Sequence, residues 1–259
     1  MTSYTDAEIL AVVQRSPAAA GRHDRDEWVG LFTTDGTVED PVGSAPHRGH
    51  NAIGRFYETF IAPRDVMFHP DADIVSGMTV IRDLTLEVRM GAGVTMMIPA
   101  ILRYVVRGTD SGLRIAELQA FWELPQMLGQ FVRRGVPAVP VALGLSRSLL
   151  TNQHIGGALG FLTGLHRPAQ RQRPTTEALV RALTGGDQLT ARRLLGTGAG
   201  VTLGDDEPAA IDALGTRLQG ASEHKRITAG ATTAVSLRSA QGPVVLLIDT
   251  EPLAVRCYG

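Results

Sequence analysis

One acidic residue, Asp40, has neighbours that would let its carboxylate move protons. It follows an alternating run that contains Phe32 and Val38, and Pro41 ends any strand there because proline has no N–H to donate to a ladder. Its carboxylate should therefore lie at a strand end, facing a cleft. A carboxylate between apolar walls loses hydration, which raises its pKa and suits a general base that works near neutral pH.

The segments that follow Asp40 in the chain would supply such walls. After a loop rich in glycine and proline, Asn51 can cap a helix. The apolar side chains that recur at helical spacing in this helix are Ile53, Phe56, Tyr57 and Phe60. Residues 78–90 then alternate strictly between apolar and polar, as in a half-buried antiparallel strand. A turn at residues 91–93, a return strand at 94–106 and a last strand at 113–122 complete the predicted sheet.

The stretch from Leu31 to Phe60, LFTTDGTVEDPVGSAPHRGHNAIGRFYETF, resembles the signature of the ketosteroid isomerases, small enzymes of the nuclear transport factor 2-like (SnoaL-like) superfamily. A weaker match near residues 114–122 extends the resemblance over about residues 5–125. It implies an α+β fold, in which a curved antiparallel sheet wraps on helices to form a cone. It also implies that Asp40 is the general base that moves a proton between two carbons of a 3-oxo-steroid. The cavity residues that it implies are Phe56, Leu86, Val88, Met90, Leu118, Ala120 and Trp122.

The family's oxyanion hole, a tyrosine and a protonated aspartic acid, is not evident in this chain. Ser16 stands in the place of the tyrosine, and Ile101 or Leu102 in the place of the aspartic acid. Losing one oxyanion donor typically costs about 2.7–4 kcal/mol of transition-state stabilisation. Tyr57, Tyr104 or Ser16 could replace the missing donors. We expect Tyr57 to be the second catalytic residue, with its hydroxyl beside Asp40, because a buried phenol must find a hydrogen-bond partner.

Length and composition restrict the classes of function. At 259 residues the chain is long enough for two domains, and its 44% hydrophobic content can fill their cores. The net charge of −1 provides no global field for binding nucleic acid or an anionic membrane. A single cysteine, Cys257, and an N-terminus without a secretory signal favour a cytoplasmic protein.

No pattern in the sequence points to a cofactor or a metal. It contains neither a glycine-rich phosphate loop nor a nucleophilic triad. The acidic cluster of Asp65, His69, Asp71 and Asp73 matches no zinc or calcium spacing. We therefore expect no cofactor and no metal site.

The second half of the chain resembles a reduced copy of the first. Aligning Val201 with Val38 needs no gap from the preceding helix onward, and it places Leu203 at the position of Asp40. Between the copies, apolar runs at residues 124–165 are too short and too interrupted by arginine to span a membrane. The predicted divisions are a cone with the candidate active site at 1–125, a helical segment and linker at 126–174, and a second cone without the catalytic acid at 175–259.

Three functions remain open for this sequence. The first is a steroid delta-isomerase-like enzyme acting on a hydrophobic 3-oxo-steroid or a similar polycyclic ketone. The second is a SnoaL-like cyclase, dehydratase or epoxide hydrolase for a polyketide-like substrate, which would need a second acid such as Glu58 or Asp65. The third is a non-catalytic protein that binds a hydrophobic ligand.

The expected partner is a small hydrophobic molecule, steroid-like or polyketide-like. Nucleic acid is not expected, and neither is contact with a membrane. The resemblance adds a homodimer as an expectation, since cones of this family often pair through the open face of the sheet.

Overall fold

The computed structural model describes residues 4–90, 94–123, 168–196 and 198–259. In these residues the chain forms two α+β units, and each unit contains a six-stranded mixed sheet with helices. The predicted fold class and tandem arrangement are therefore confirmed. Most of the helical segment predicted between the units, and the turn predicted at 91–93, lie outside the described residues. No described helix is long and apolar enough to cross a membrane.

The first unit combines three short α-helices with long strands. Its helices are α1 (Asp6–Gly21), α2 (Arg25–Gly30) and α3 (Gly49–Phe56), and a π-helical turn (Tyr57–Ile61) continues α3. Its strands are β1 (Phe32–Glu39), β2 (His47–Arg48), β3 (Asp65–Ser76), β4 (Thr79–Met90), β5 (Val94–Thr109) and β6 (Gly112–Phe121). The helix α1 packs against β3 and β6, so one face of the sheet is covered by helices.

Local sequence explains where these helices begin. A capping box joins Thr5 and Glu8 at the start of α1, and the Asp24 side chain accepts a hydrogen bond from a backbone N–H at the start of α2. The helix α3 begins at Gly49, two residues before the predicted cap Asn51, and its first turn has no side-chain cap. The predicted cap is thus wrong by three residues, because Arg48 and not Asn51 precedes the first helical residue.

The order of strands in the first sheet is β2-β1-β6-β5-β4-β3. The pair β1 and β6 is parallel, and the other pairs are antiparallel. As predicted, β1 ends just before Asp40 and Pro41. Beyond this end, the N–H of Val42 donates to the carbonyl of Ala120 at 2.8 Å, which holds the Asp40 segment against the end of β6.

The second unit repeats the same plan with mostly shorter strands. Its helices are α4 (Pro168–Gly185), α5 (Gln188–Leu195) and α6 (Ile211–Leu218). Its strands are β7 (Gly200–Leu203), β8 (Glu207–Pro208), β9 (Ser222–Ala229), β10 (Thr232–Ser239), β11 (Gly242–Thr250) and β12 (Leu253–Tyr258). The strand order β8-β7-β12-β11-β10-β9 matches that of the first sheet one for one. The helix α4 begins inside the segment predicted as linker, and its first residue is proline, which the first turn of a helix tolerates.

The position of Asp40 is occupied by an apolar residue in the second unit. The N–H of Gly204 donates to the carbonyl of Cys257 at 2.7 Å, in the same way that Val42 donates to Ala120 in the first unit. Thr202 pairs with Arg256 of β12 as Glu39 pairs with Gln119 of β6, so Leu203, the residue after Thr202, takes the place of Asp40, and it packs against the apolar core of its unit.

The two sheets pack face to face through an apolar cluster that is separate from the apolar core of each unit. It contains Ile81, Ile101 and Phe121 from the first unit and Ile227, Leu247 and Tyr258, among others, from the second. Polar groups cross the same interface: Arg103 binds Asp205 at 2.7 Å, and the buried Asp83 pairs with Lys225. The alternation of β4 predicts a half-buried strand, but Asp83 on its polar face is also buried, because the second unit covers it.

Candidate active site

The first unit contains a cavity of about 150 Å³ between its helices and the concave face of its sheet. An apolar cavity of this size encloses about one six-membered ring, and it is partly open to solvent, so the further rings of a polycyclic ligand would extend through the opening. The described residues that line it are Ser16, Ala20, Trp28, Asp40, Phe56, Phe60, Ile61, Arg64, Val66, Phe68, Leu86, Val88, Met96, Ile98, Leu102, Tyr104, Leu118, Ala120 and Trp122. Most of these side chains are apolar or aromatic, so the few polar ones decide the chemistry.

Asp40 is the one carboxylate among the described lining residues. The indole N–H of Trp122 donates to its Oδ1 at 2.6 Å. Burial among apolar side chains raises the pKa of Asp40 to about 6, and the hydrogen bond from Trp122 opposes this rise in part. The side chain is only partly buried because one side of the carboxylate faces the cavity, where a ligand could reach it.

A second polar group consists of Ser16, Trp28 and Tyr104. Trp28 donates its indole N–H to the Ser16 hydroxyl at 3.1 Å. Ser16 in turn hydrogen-bonds the phenol of Tyr104, which is buried in the cavity wall. Burial raises the pKa of Tyr104, the charge of Asp40 adds to this rise, and both side chains line the same cavity.

The register of β5 explains why Tyr104 lies in the cavity. Leu102 and Tyr104 are two residues apart and share the cavity face, whereas Ile101 lies on the opposite face, between the two units. Leu102 therefore marks the place that the resemblance gives to an aspartic acid, and an apolar side chain fills it.

The structure places Tyr57 outside the cavity. Its ring packs at 5.5 Å from that of Trp28, and its hydroxyl is buried without a hydrogen-bond partner among the described residues. The charges that act on it belong to Asp24, Glu58 and Arg25, and burial raises its pKa. The predicted position beside Asp40 is therefore wrong. Successive helical residues point about 100° apart, so the helix that turns Phe56 into the cavity turns Tyr57 toward α2.

Six of the predicted wall residues line the cavity. They are Phe56, Leu86, Val88, Leu118, Ala120 and Trp122. The side chain of Met90, the seventh, lies outside the described part of the chain. Sequence reasoning missed Val66, Met96 and Arg64; the alternation of β5 could have indicated Met96, but no local signal indicated Arg64.

The two candidates for a second acid are not in the cavity. Glu58 pairs with Arg25 at 2.8 Å and is 48% exposed, and Asp65 pairs with His23 at 3.1 Å and is 70% exposed. Within residues 4–90, 94–123, 168–196 and 198–259, Asp40 thus has no carboxylate to share its proton.

The acidic cluster predicted around residues 65–73 is divided among separate ion pairs. His69 pairs with Glu87 at 2.9 Å. One described group does have the ligand types for a cation, since oxygen or nitrogen atoms of Asp71, Asp83 and His224 lie within 4.8 Å of one another. However, the Lys225 ammonium contacts both Asp71 and Asp83, so a protein cation already holds this position.

Comparisons with known proteins agree with this description. Residues 13–118 match the family model of the SnoaL-like domain. Among solved structures, the chain is similar to a Δ5-3-ketosteroid isomerase from Mycobacterium sp., with 28% identity, a TM-score of 0.42, and coverage of 46% of this chain and 95% of that one. A Mycobacterium tuberculosis protein in complex with estradiol-17β-hemisuccinate is similar with 25% identity and a TM-score of 0.42, over 46% of this chain and 96% of that one. The epoxide hydrolase/cyclase-like enzyme SalBIII, of pyran ring formation in the polyether salinomycin, is similar with 22% identity and a TM-score of 0.42, over 46% of this chain and 94% of that one.

Proposed function

We propose that the first unit is an acid–base active site that moves a proton on an apolar ketone, a 3-oxo-steroid or a similar polycyclic ketone. The observation that carries this proposal is Asp40, the one carboxylate among the described residues that line a mostly apolar cavity, with a pKa of about 6. At pH 7 about nine tenths of such a group is ionised. It is therefore ready to accept a proton and is a stronger base than an ordinary aspartate.

The proposed reaction needs only this carboxylate and the substrate. Asp40 takes a proton from the carbon next to the carbonyl, and the electron pair of the broken C–H bond forms an enolate. The protonated Asp40 then returns the proton to a carbon further along the conjugated system, and the electron pair shifts back to restore the carbonyl. Substrate and product are isomers, so no oxidant, reductant or cofactor is consumed.

The hydroxyl groups of Tyr104 and Ser16 support the enolate step in this proposal. Both residues line the cavity together with Asp40, and the charge of Asp40 raises the pKa of the Tyr104 phenol. A ligand whose carbonyl oxygen accepts a hydrogen bond from Tyr104 would present its neighbouring carbon to Asp40. Ser16 accepts from Trp28 and keeps its own O–H, which can donate to Tyr104 and leave the phenol proton for the ligand.

The cavity favours this reaction over the second function. A cyclase, dehydratase or epoxide hydrolase would use a second acid, and neither Glu58 nor Asp65 lines the cavity. Hydrophobic-ligand binding without turnover uses the same cavity, and it is an outcome that the following experiment distinguishes.

The test is an assay of 3-oxo-steroid isomerisation with the parent protein and Asp40→Asn. The substitution keeps the shape of the side chain but removes the base, so we expect the rate to fall by about 10²–10⁴. Conjugated ketone formed at equal rates by both proteins would refute Asp40 as the base. Binding of the steroid without turnover by either protein would favour the non-catalytic function.

We further propose that the second unit replaces a partner copy of the chain. The first sheet's outer face, where a homodimer was expected, packs against β9, β10 and β11 of the same chain through Ile81, Ile101 and their neighbours. A homodimer through this face would require the two units to separate. A cytoplasmic location also stays a proposal.

A further inference from the structure

The cavity contains a cation, Arg64, that the proposed proton transfer does not use. Its Nη1 donates to the carbonyl of Thr59 at 2.9 Å and to the carbonyl of Phe60 at 2.6 Å. Both carbonyls belong to the π-helical turn, so the guanidinium is anchored to the backbone at one nitrogen. Among the described residues, its Nε and Nη2 make no hydrogen bond, so their N–H groups are available to a ligand in the cavity that Arg64 lines.

No carboxylate of the described residues neutralises Arg64. The two acids nearest in sequence, Glu58 and Asp65, are engaged by Arg25 and His23. Burial lowers the pKa of Arg64, and no acidic group counteracts this effect. A partly buried charge without a partner of opposite charge is unfavourable, so the folded chain retains a cation that an anionic ligand group could pair with.

Arg64 and Asp40 reach the cavity from distant strands: Arg64 directly precedes β3, Asp40 directly follows β1, and β6, β5 and β4 lie between these two strands in the sheet. The influences on the pKa of Asp40 are burial and the hydrogen bond from Trp122, and the only influence on that of Arg64 is burial. Two opposite charges a few ångströms apart in an apolar cavity would affect each other strongly. The two groups can therefore contact two ends of one ligand.

We propose that the ligand of this cavity is an apolar, ring-bearing molecule with an anionic group, a carboxylate or a sulfate, that pairs with Arg64. Arginine suits this role because its planar guanidinium donates two parallel hydrogen bonds to such oxyanions. The inference rests on the proposed function for the choice of cavity. It adds that the reacting carbonyl end lies at Asp40 and the anionic end at Arg64.

The test uses two fluorescent probes that differ only in an anionic group. These are 1-anilinonaphthalene-8-sulfonate and the neutral N-phenyl-1-naphthylamine, and both brighten in apolar surroundings. Arg64→Gln should weaken binding of the sulfonate about tenfold or more, the loss expected for one charge-assisted pair. The neutral probe should bind the variant and the parent equally. Arg64→Lys, which keeps the charge, should restore part of the sulfonate's affinity.

Arg55→Gln is the matched control for the loss of one positive charge. Arg55 lies on the neighbouring helix α3, is exposed, and does not line the cavity. This variant should bind both probes like the parent. Displacement of the neutral probe by 2-naphthoate, compared with 2-naphthalenesulfonate, then distinguishes a preference for carboxylate from one for sulfonate, and 2-naphthamide is the neutral control.

Three results would overturn the inference: equal loss of both probes in Arg64→Gln, unchanged sulfonate affinity in that variant, or no binding of either probe to the parent protein. Because these are equilibrium measurements, they are independent of turnover. If the parent protein has no isomerase activity, the proposed reaction is refuted and the anion preference is not affected. If the parent protein is an active isomerase but Arg64→Gln binds the sulfonate like the parent, the anion preference is refuted and the proposed reaction is not affected.

Discussion

Replacing Trp122 by phenylalanine should raise the pKa of Asp40. The substitution removes the indole N–H that donates to Asp40 Oδ1 at 2.6 Å, but it keeps an aromatic wall. A hydrogen bond to a charged group contributes about 1.5–3 kcal/mol, and one pKa unit corresponds to about 1.4 kcal/mol. The pKa should thus rise by about 1–2 units from its value of about 6. A water molecule in the vacated space would restore part of the lost bond, so the lower end of this range is expected.

The pKa of Asp40 can be measured without any substrate. Carbon-13 labelling of aspartate carboxyl groups gives one NMR signal for each, and the signal that disappears in Asp40→Asn identifies Asp40. At pH 7 the ionised fraction should fall from about nine tenths in the parent to one half or less in Trp122→Phe. If the proposed function holds, the acidic limb of the rate profile should move by the same amount.

Trp28→Phe is the matched control, since it makes the same substitution in the same cavity. The Trp28 indole donates to Ser16, at 3.1 Å, and not to Asp40. The Asp40 signal should therefore titrate as in the parent. An unchanged or lowered pKa in Trp122→Phe, or an equal rise in both variants, would show that the hydrogen bond does not set the acidity of Asp40.

Three further predictions concern stability, the phenol and assembly. The folded pKa of Asp40, about 6, lies above its ordinary 3.8, so this carboxylate destabilises the fold as pH rises from about 4 to 6. Asp40→Asn should therefore raise the free energy of urea unfolding by at most about 3 kcal/mol at pH 8 and by almost nothing at pH 4. An equal gain at both pH values would contradict this origin. Tyr104→Phe should slow isomerisation more than about tenfold, roughly 1.4 kcal/mol in the barrier. Tyr57→Phe should leave the rate unchanged, because its hydroxyl lies outside the cavity. A slower rate in Tyr57→Phe and an unchanged rate in Tyr104→Phe would restore Tyr57 as the oxyanion donor. Light scattering should give the mass of one chain, because the second unit covers the first sheet, and a dimer mass would point to another surface.

The sequence was sufficient where the signal is local. A motif of a few residues around Asp40 and Pro41 predicted the strand end, and β1 does end there. Alternation placed Leu86 and Val88 on one face of β4, and both line the cavity. The gap-free alignment of Val201 with Val38 predicted a second unit, whose sheet has the same strand order.

The sequence was insufficient where the outcome depends on rotation or on a distant covering element. Helical periodicity identified Tyr57 as buried, but it could not say which of two buried sides its hydroxyl would face. Alternation marked Asp83 as polar, yet it could not show that Lys225 from the second unit would cover and neutralise it. Arg64 follows a π-helical turn whose extra residue per turn no local pattern predicted.

The central claim is that one carboxylate carries a proton from one carbon of a ketone to another. The most direct measurement is isomerisation of a 3-oxo-5-ene steroid labelled with deuterium at carbon 4, followed by NMR of the product. If Asp40 carries the label within the cavity faster than the label exchanges with water, part of the deuterium should appear at carbon 6, and Asp40→Asn should give no product above background. Product formed at the parent's rate by Asp40→Asn, or no product from the parent protein, would contradict the account.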